Sequence, residues 1–169
     1  MGKPLVLGLD YGSTLTSPAT PYDPVLRMRP IDPRAAETLK YLHGTGRFRL
    51  GLVSNTRPGQ DRLLALERAG VLDLFEVVLE SSKEGVAKPH PAFYRRFLDR
   101  VGAAPNDIWF VGDHPVNDVV APLQHRMGAV LVRQPEQPVN RYTSLPPALE
   151  NEVPIISHIS ELIPLVLAA

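Results

Sequence analysis

Leu5-Val6-Leu7-Gly8-Leu9-Asp10-Tyr11-Gly12-Ser13-Thr14-Leu15-Thr16 is the stretch on which the fold turns. Five apolar or small residues run without a charge and stop at a carboxylate, which predicts a strand buried on both faces and ending in a polar group. Such runs recur at Arg49–Val53, Phe75–Leu79, Ile108–Val111, Ala129–Val132 and Val153–Ile156. Between them lie helical patterns: Pro33–His43, opened by Asp32 and stopped at Gly44; Gln60–Ala69, with Leu63, Leu64 and Leu66 inward and Gly70 closing it; Pro91–Val101, with Phe93, Phe97 and Leu98 inward; and Pro115–Met127, with Gly128 read as the residue just past its end. A helix over Ile159–Leu167 finishes the chain. Alternation of strand and helix predicts an α/β fold, a Rossmann-like three-layer sandwich around a mainly parallel sheet of five to six strands. Two stretches lack such patterning: the proline-rich residues 11–33, expected to form an ordered loop or flap, and the loop Gln134–Glu152.

Bulk properties narrow the function classes. The 169 residues fit one domain over 1–169, with no repeat and no linker. Lysines and arginines number 18 against 18 aspartates and glutamates, so no net field draws the protein to nucleic acid or an anionic membrane. No cysteine is present, which removes disulfides, thiolate metal sites and thiol nucleophiles. Leu5–Leu9 is too short for the apolar core of a signal peptide, and no run reaches a membrane span. The expected setting is cytoplasmic.

In open α/β sheets ligands bind at the carboxyl edge of the strands. Asp10 follows the first strand, Ser54 and Asn55 the second, Gly112, Asp113 and then Asp118 the fourth, and Lys88 lies in the loop after the third. Carboxylates bind Mg²⁺ while a lysine and a hydroxyl neutralise phosphate, so this set suits phosphoryl transfer. Taken singly, each has a plainer reading: Asp10 as a turn former, Ser54 and Asn55 as caps of the following helix, Lys88 as a solvated loop residue, Asp113 and Asp118 as acids at a helix N-terminus.

Four segments in order make the set specific: Leu9–Thr16; Leu52-Val53-Ser54-Asn55-Thr56; Ser81–Pro91 around Lys88; and Val111-Gly112-Asp113 with Asn117 and Asp118. Together they resemble the haloacid dehalogenase-like superfamily over nearly the whole chain. The resemblance implies that Asp10 attacks phosphorus and forms an aspartyl phosphate. Asp10, the Gly12 carbonyl and Asp113 would hold Mg²⁺, with Asp118 binding it or bracing its ligands. Ser54, Asn55 and Lys88 would bind the phosphoryl group, and Thr14 would brace the loop.

One position departs from the pattern. Family phosphatases carry a second aspartate two residues after the nucleophile, as the acid for the leaving group; here it is Gly12. Such assistance is worth about 10²- to 10⁴-fold in rate, so simple alkyl monoesters are expected to be poor substrates. Tyr11 and His114 are the nearest candidates for a substitute acid and for substrate contacts. Neither Ser17–Gly51 nor Arg57–Glu80 has room for a cap domain beside its helix and strand, so the site is expected to be open. An open site fits a phosphorylated small molecule, a macromolecular substrate, or a homo-oligomer in which a second copy covers the rim. Two other readings stand beside the enzyme: a binding or regulatory module on an impaired scaffold, and a receiver-like domain, which the order of the segments disfavours.

Overall fold

Six strands form one sheet in the computed structural model, which describes residues 4–137 and 144–169. They are β1 (Val6–Leu9), β2 (Arg49–Ser54), β3 (Phe75–Glu80), β4 (Ile108–Gly112), β5 (Gly128–Val132) and β6 (Ile155–Ile156). Their spatial order is β3-β2-β1-β4-β5-β6 and every pairing is parallel. β1 sits centrally with β2 and β4 on either side, so the chain crosses from one half of the sheet to the other next to Asp10, where α/β sheets open a crevice. The three-layer fold around a mainly parallel sheet of five to six strands, expected from the sequence, is present, with six strands and every pairing parallel. Residues 138–143 of the loop expected over Gln134–Glu152, and residues 1–3 of the chain, lie outside the described part.

The helices are α1 (Pro33–Gly44), α2 (Arg62–Arg68), the short α3 (Ser81–Glu84), α4 (Pro91–Val101), α5 (Ala121–Gln124) and α6 (Leu162–Ala168). Alternation along β1 sends Leu7 and Leu9 to one face of the sheet, into a core shared with Leu39, Leu42, Leu66 and Val166. Val6 goes to the other face, against Phe93, Phe97 and Phe110. The second face is held by a slot. Gly8 and Gly51 are register partners on β1 and β2, and a Cβ at either would come within 3.0 Å and 2.6 Å of the Phe97 ring. Absent side chains at these two positions let α4 seat its phenylalanine directly on the sheet.

Several boundaries differ from the sequence reading, each for a local reason. β1 begins at Val6, and Leu5 is half exposed. α2 starts at Arg62 with Asp61 as its cap; it buries Arg62, Ala65 and Leu66 and leaves Leu63 exposed. Ser54 and Asn55 therefore do not cap it. The helix expected over Pro115–Met127 is a π-helical turn at Pro115–Val120 followed by α5, because Pro122 lacks the amide that would continue an α-helical ladder. Gly128 is not the residue past that helix; it opens β5, and it is glycine because the Trp109 indole crosses it, 2.5 Å from where a Cβ would stand. β6 contains only Ile155 and Ile156, and a 3-10 turn at Ile159–Glu161 precedes α6. Among the described residues no helix is long and apolar enough to cross a membrane.

Candidate active site

Three parallel strands deliver the acids and hydroxyl to one rim. Asp10 leaves the end of β1 with its amide bonded to the Val111 carbonyl at 2.9 Å, which ties it to β4. Lys88 reaches the same point from the loop after α3: its Nζ donates to Asp10 Oδ1 at 2.8 Å and to Asp118 Oδ1 at 2.7 Å. The lysine and Asp118 are almost wholly buried, and 13% of the Asp10 side chain is exposed. Burial pulls the Lys88 ammonium toward deprotonation, but the two carboxylates outweigh it and hold its pKa above the ordinary lysine value. A buried cation with two anions is strongly coupled: removing one partner of such a group costs about 3–5 kcal/mol.

Asp113 completes the acidic cluster. One carboxylate oxygen from each of Asp10, Asp113 and Asp118 lies within 4.8 Å of the others. Burial, with the charges of Asp10 and Asp118 adding to it, pushes the Asp113 pKa up to about 7. Three crowded carboxylates with one ammonium between them leave an excess of negative charge, and an oxygen-only donor set suits a hard cation such as Mg²⁺. Asp118 is the most constrained of the three, since its Oδ2 also accepts from the His114 amide at 2.9 Å. Gln137 steadies Asp113 from the loop after β5, donating Nε2 to Oδ2 at 2.8 Å.

The remaining expected site residues divide by what they touch. Ser54, Asn55, Lys88, Asp113, His114 and Asp118 line one cleft of about 240 Å³ with Asp10 and Gly12. Asn55 faces Lys88 rather than open space: its Oδ1 accepts from the Lys88 amide and its Nδ2 donates to the Lys88 carbonyl, both at 2.9 Å. It fixes the loop that aims the ammonium. The His114 ring caps the π-helical turn, with Nδ1 accepting from the amides of Val116 and Asn117 at 3.3 Å. The Tyr11 phenol is committed to the Arg29 carbonyl at 2.9 Å, and burial raises its pKa to about 12, which ill suits a proton donor. Among the described residues the buried Thr14 hydroxyl has no hydrogen-bond partner. Bracing of the turn falls instead to Thr16, whose Oγ1 accepts from the Ser13 amide at 3.0 Å, and to Gln134, whose Nε2 donates to the carbonyls of Ser13 and Thr16 at 2.8 Å.

Arg62 is the residue that the sequence reading missed. Its Nε donates to Ser54 Oγ at 3.0 Å, its Cζ lies 4.0 Å from the centre of the Tyr11 ring, and its backbone amide donates to Glu80 Oε2 at 2.9 Å. It orients the serine that was expected to bind phosphate. Gly12 is open: a Cβ there would meet nothing within 4 Å, so no crowding requires glycine.

With the rim assembled, comparison with known proteins gives the family. A model described as "Hydrolase: haloacid dehalogenase-like hydrolase" matches residues 14–125. This chain belongs to the haloacid dehalogenase-like hydrolase family. Among curated relatives, phosphoserine phosphatase of Thermus thermophilus is 36% identical over 93 residues, covering 55% of this chain and 36% of its own. Glyceraldehyde 3-phosphate phosphatase of Pyrococcus abyssi is 33% identical over 89 residues, covering 52% and 36%. Phosphoglycolate phosphatase of Salmonella paratyphi A is 36% identical over 89 residues, covering 53% and 34%. The chain thus spans about a third of the length of these relatives. Among solved structures, an uncharacterised protein of Listeria monocytogenes has the same fold at nearly the same length, with TM-score 0.74, 19% identity and coverage of 97% of this chain and 99% of that one. A haloacid dehalogenase-like phosphatase of Thermococcus onnurineus matches with TM-score 0.63 at 23% identity, covering 83% and 59%. Asp10 and Gly12 precede the span matched by the family model, so their place in the site rests on the geometry above.

Proposed function

We propose that this protein is a Mg²⁺-dependent phosphoryl hydrolase or phosphotransferase that works through an aspartyl phosphate on Asp10 and acts on substrates whose leaving group needs no proton. The observation that carries the reading is the Lys88 ammonium held between Asp10 and Asp118, with Asp113 completing the cluster. The Lys88 ammonium lies against the Asp10 carboxylate, and its charge sits where phosphoryl oxygens would collect. Ser54, oriented by Arg62, lines the same cleft with a hydroxyl able to turn toward a phosphoryl oxygen. Asp10, the Gly12 carbonyl and Asp113 are the groups that would hold Mg²⁺, with Asp118 bracing them. When bound there, the ion would neutralise charge on the transferring group. The relatives named above as phosphatases support phosphorylated substrates as the class. A rim that no cap covers among the described residues suits a phosphorylated small molecule that brings its own bulk, or a second copy of the chain acting as cover.

The test is turnover of acyl phosphates, phosphoanhydrides and alkyl phosphates with Mg²⁺, by wild type and Asp10→Asn. Loss of about 10⁴-fold or more in the variant, with a phosphorylated aspartate found at residue 10 of the wild type, is the expected result. Equal turnover by the two proteins would remove the nucleophile. Gly12 favours one competing reading, a binding module on the same scaffold; it would show as no phosphoaspartate and no beryllofluoride adduct on Asp10 alongside retained ligand binding.

A further inference from the structure

A second cavity, of about 510 Å³, opens beside the catalytic cleft and shares Gly12, Ser13 and Arg62 with it. Its walls come from the flap after β1 and from the loop before α2. They carry four arginines, Arg27, Arg29, Arg57 and Arg62, and no aspartate or glutamate. In a chain whose charges balance, this is a marked local excess of positive charge. Elsewhere Arg49 pairs with Glu76, Arg68 with Asp23, and Arg96 and Arg100 with Glu84, while Arg34, Arg47, Arg95 and Arg126 make no such pair among the described residues but are not gathered on one wall. Among the described residues the four cavity arginines make no such pair.

The wall is built to hold them there. Gln60 joins the two loops, accepting from the Arg57 amide and donating to the Arg27 carbonyl, both at 3.0 Å. The Arg27 side chain then crosses Gly59, whose φ of +83° and missing Cβ leave the room; a Cβ there would lie 2.3 Å from Arg27 Nη1. Arg29 is fixed through Nε to the Thr20 carbonyl at 2.9 Å.

We infer that this cavity receives the leaving half of the substrate, that this half is itself a phosphate or phosphate ester, and that the substrate class is therefore a phosphoanhydride ending in a diphosphate. The inference rests on Asp10 being the nucleophile, and it explains two facts together. Guanidiniums match phosphate geometry and keep their protons, so the cavity binds an anion without supplying an acid. Gly12, at the junction of the two cavities, supplies no acid either. An alkoxide could not leave readily under those conditions; a phosphate can. The Asp10 carboxylate forms a bond to the terminal phosphorus while the bond from that phosphorus to the bridging oxygen breaks, its electron pair staying on the oxygen. The departing phosphate stays an anion among the arginines. Water then attacks the phosphorus of the aspartyl phosphate, the bond to Asp10 breaks to restore the carboxylate, and both hydrogens of the water leave with inorganic phosphate. Exposed Tyr22 on the same wall offers a ring face to an organic portion, if the ester form is the substrate.

The experiment measures kcat/KM with Mg²⁺ for inorganic diphosphate, a nucleoside diphosphate, acetyl phosphate and phosphoglycolate, in wild type and in Arg27→Gln/Arg57→Gln, with Arg57→Gln alone as the milder variant. It also measures binding of methylenediphosphonate, whose bridge cannot be cleaved. Expected are a preference of about tenfold or more for a diphosphate over phosphoglycolate, and a fall of about tenfold or more in the ratio of diphosphate to acetyl phosphate in the double variant, the size of one lost charged contact. Faster turnover of the nucleoside diphosphate than of the inorganic one assigns the organic source, and the reverse assigns the inorganic. Phosphoglycolate turned over as well as either diphosphate, or an unchanged ratio in the double variant, overturns the inference. Acetyl phosphate turnover without methylenediphosphonate binding removes the arginine cavity and keeps the nucleophile; methylenediphosphonate binding that the double variant loses, with no turnover of any anhydride, keeps the cavity and removes the nucleophile.

Discussion

The rim at Asp10 and the cavity under the flap are neighbours with opposite electrostatic designs. At the rim, Lys88 is buried and answered by two carboxylates at 2.7–2.8 Å, so the protein has already matched its cation. Under the flap, Arg27, Arg29 and Arg57 are exposed and answered by no carboxylate among the described residues. The first arrangement has its charges matched to one another before any ligand arrives. The second leaves its charges for a ligand to match. Burial decides between them: a buried ammonium without partners is too costly to keep charged, whereas a solvated guanidinium can wait.

That contrast can be broken from either side. The largest effect is expected for Lys88→Met, which removes the shared cation and leaves Asp10 and Asp118 facing each other. Loss of about 3–5 kcal/mol in urea unfolding at neutral pH is expected, together with loss of turnover. A variant as stable as wild type would mean that the rim is not coupled as described. Gly12→Asp sharpens the boundary between the two regions: hydrolysis of alkyl monoesters should rise by about 10²- to 10⁴-fold, measured by phosphate release, without loss of stability because the position is open. No gain would show that the rim lacks more than an acid. The smallest effect is expected for Arg68→Gln, which unties the flap at Asp23, an exposed pair at 3.3 Å. The unfolding midpoint should hardly move, while selectivity for a diphosphate over acetyl phosphate falls; unchanged selectivity would mean that the flap does not shape the cavity.

Much of the rim was legible in the sequence because parallel strands are read as uninterrupted apolar runs and their ends as the first polar residue. Asp10, Ser54 and Asp113 follow from that rule alone. Arg62 did not, because the leucines beside it draw attention to positions 63 and 64. The face spaced by three and four, through Arg62, Ala65 and Leu66, is the buried one, and a lone arginine at its start was the available signal. Asn55 was read as a substrate contact because residue type cannot tell an amide that binds ligand from one that binds a neighbouring loop. Gly128 was misread as a helix end because a glycine freeing space for Trp109 looks the same in sequence as one freeing the backbone. The arginine cavity had no periodicity to reveal it, being assembled from two loops far apart in sequence that Gln60 ties together.

The Phe97 slot ties the hidden face of the sheet to the reaction. Gly8 lies two residues behind Asp10 and Gly51 three residues behind Ser54, and one ring fills the space above both. A methyl group added at position 51 would wedge the ring upward or the two strands apart, and either movement would be transmitted along stiff strands to the gap between Asp10 and Ser54. The spacing of Asp10 and Ser54 is therefore under the control of a hydrocarbon contact on the far side of the sheet, and a search for activity-altering changes should begin there as well as at the charged edge.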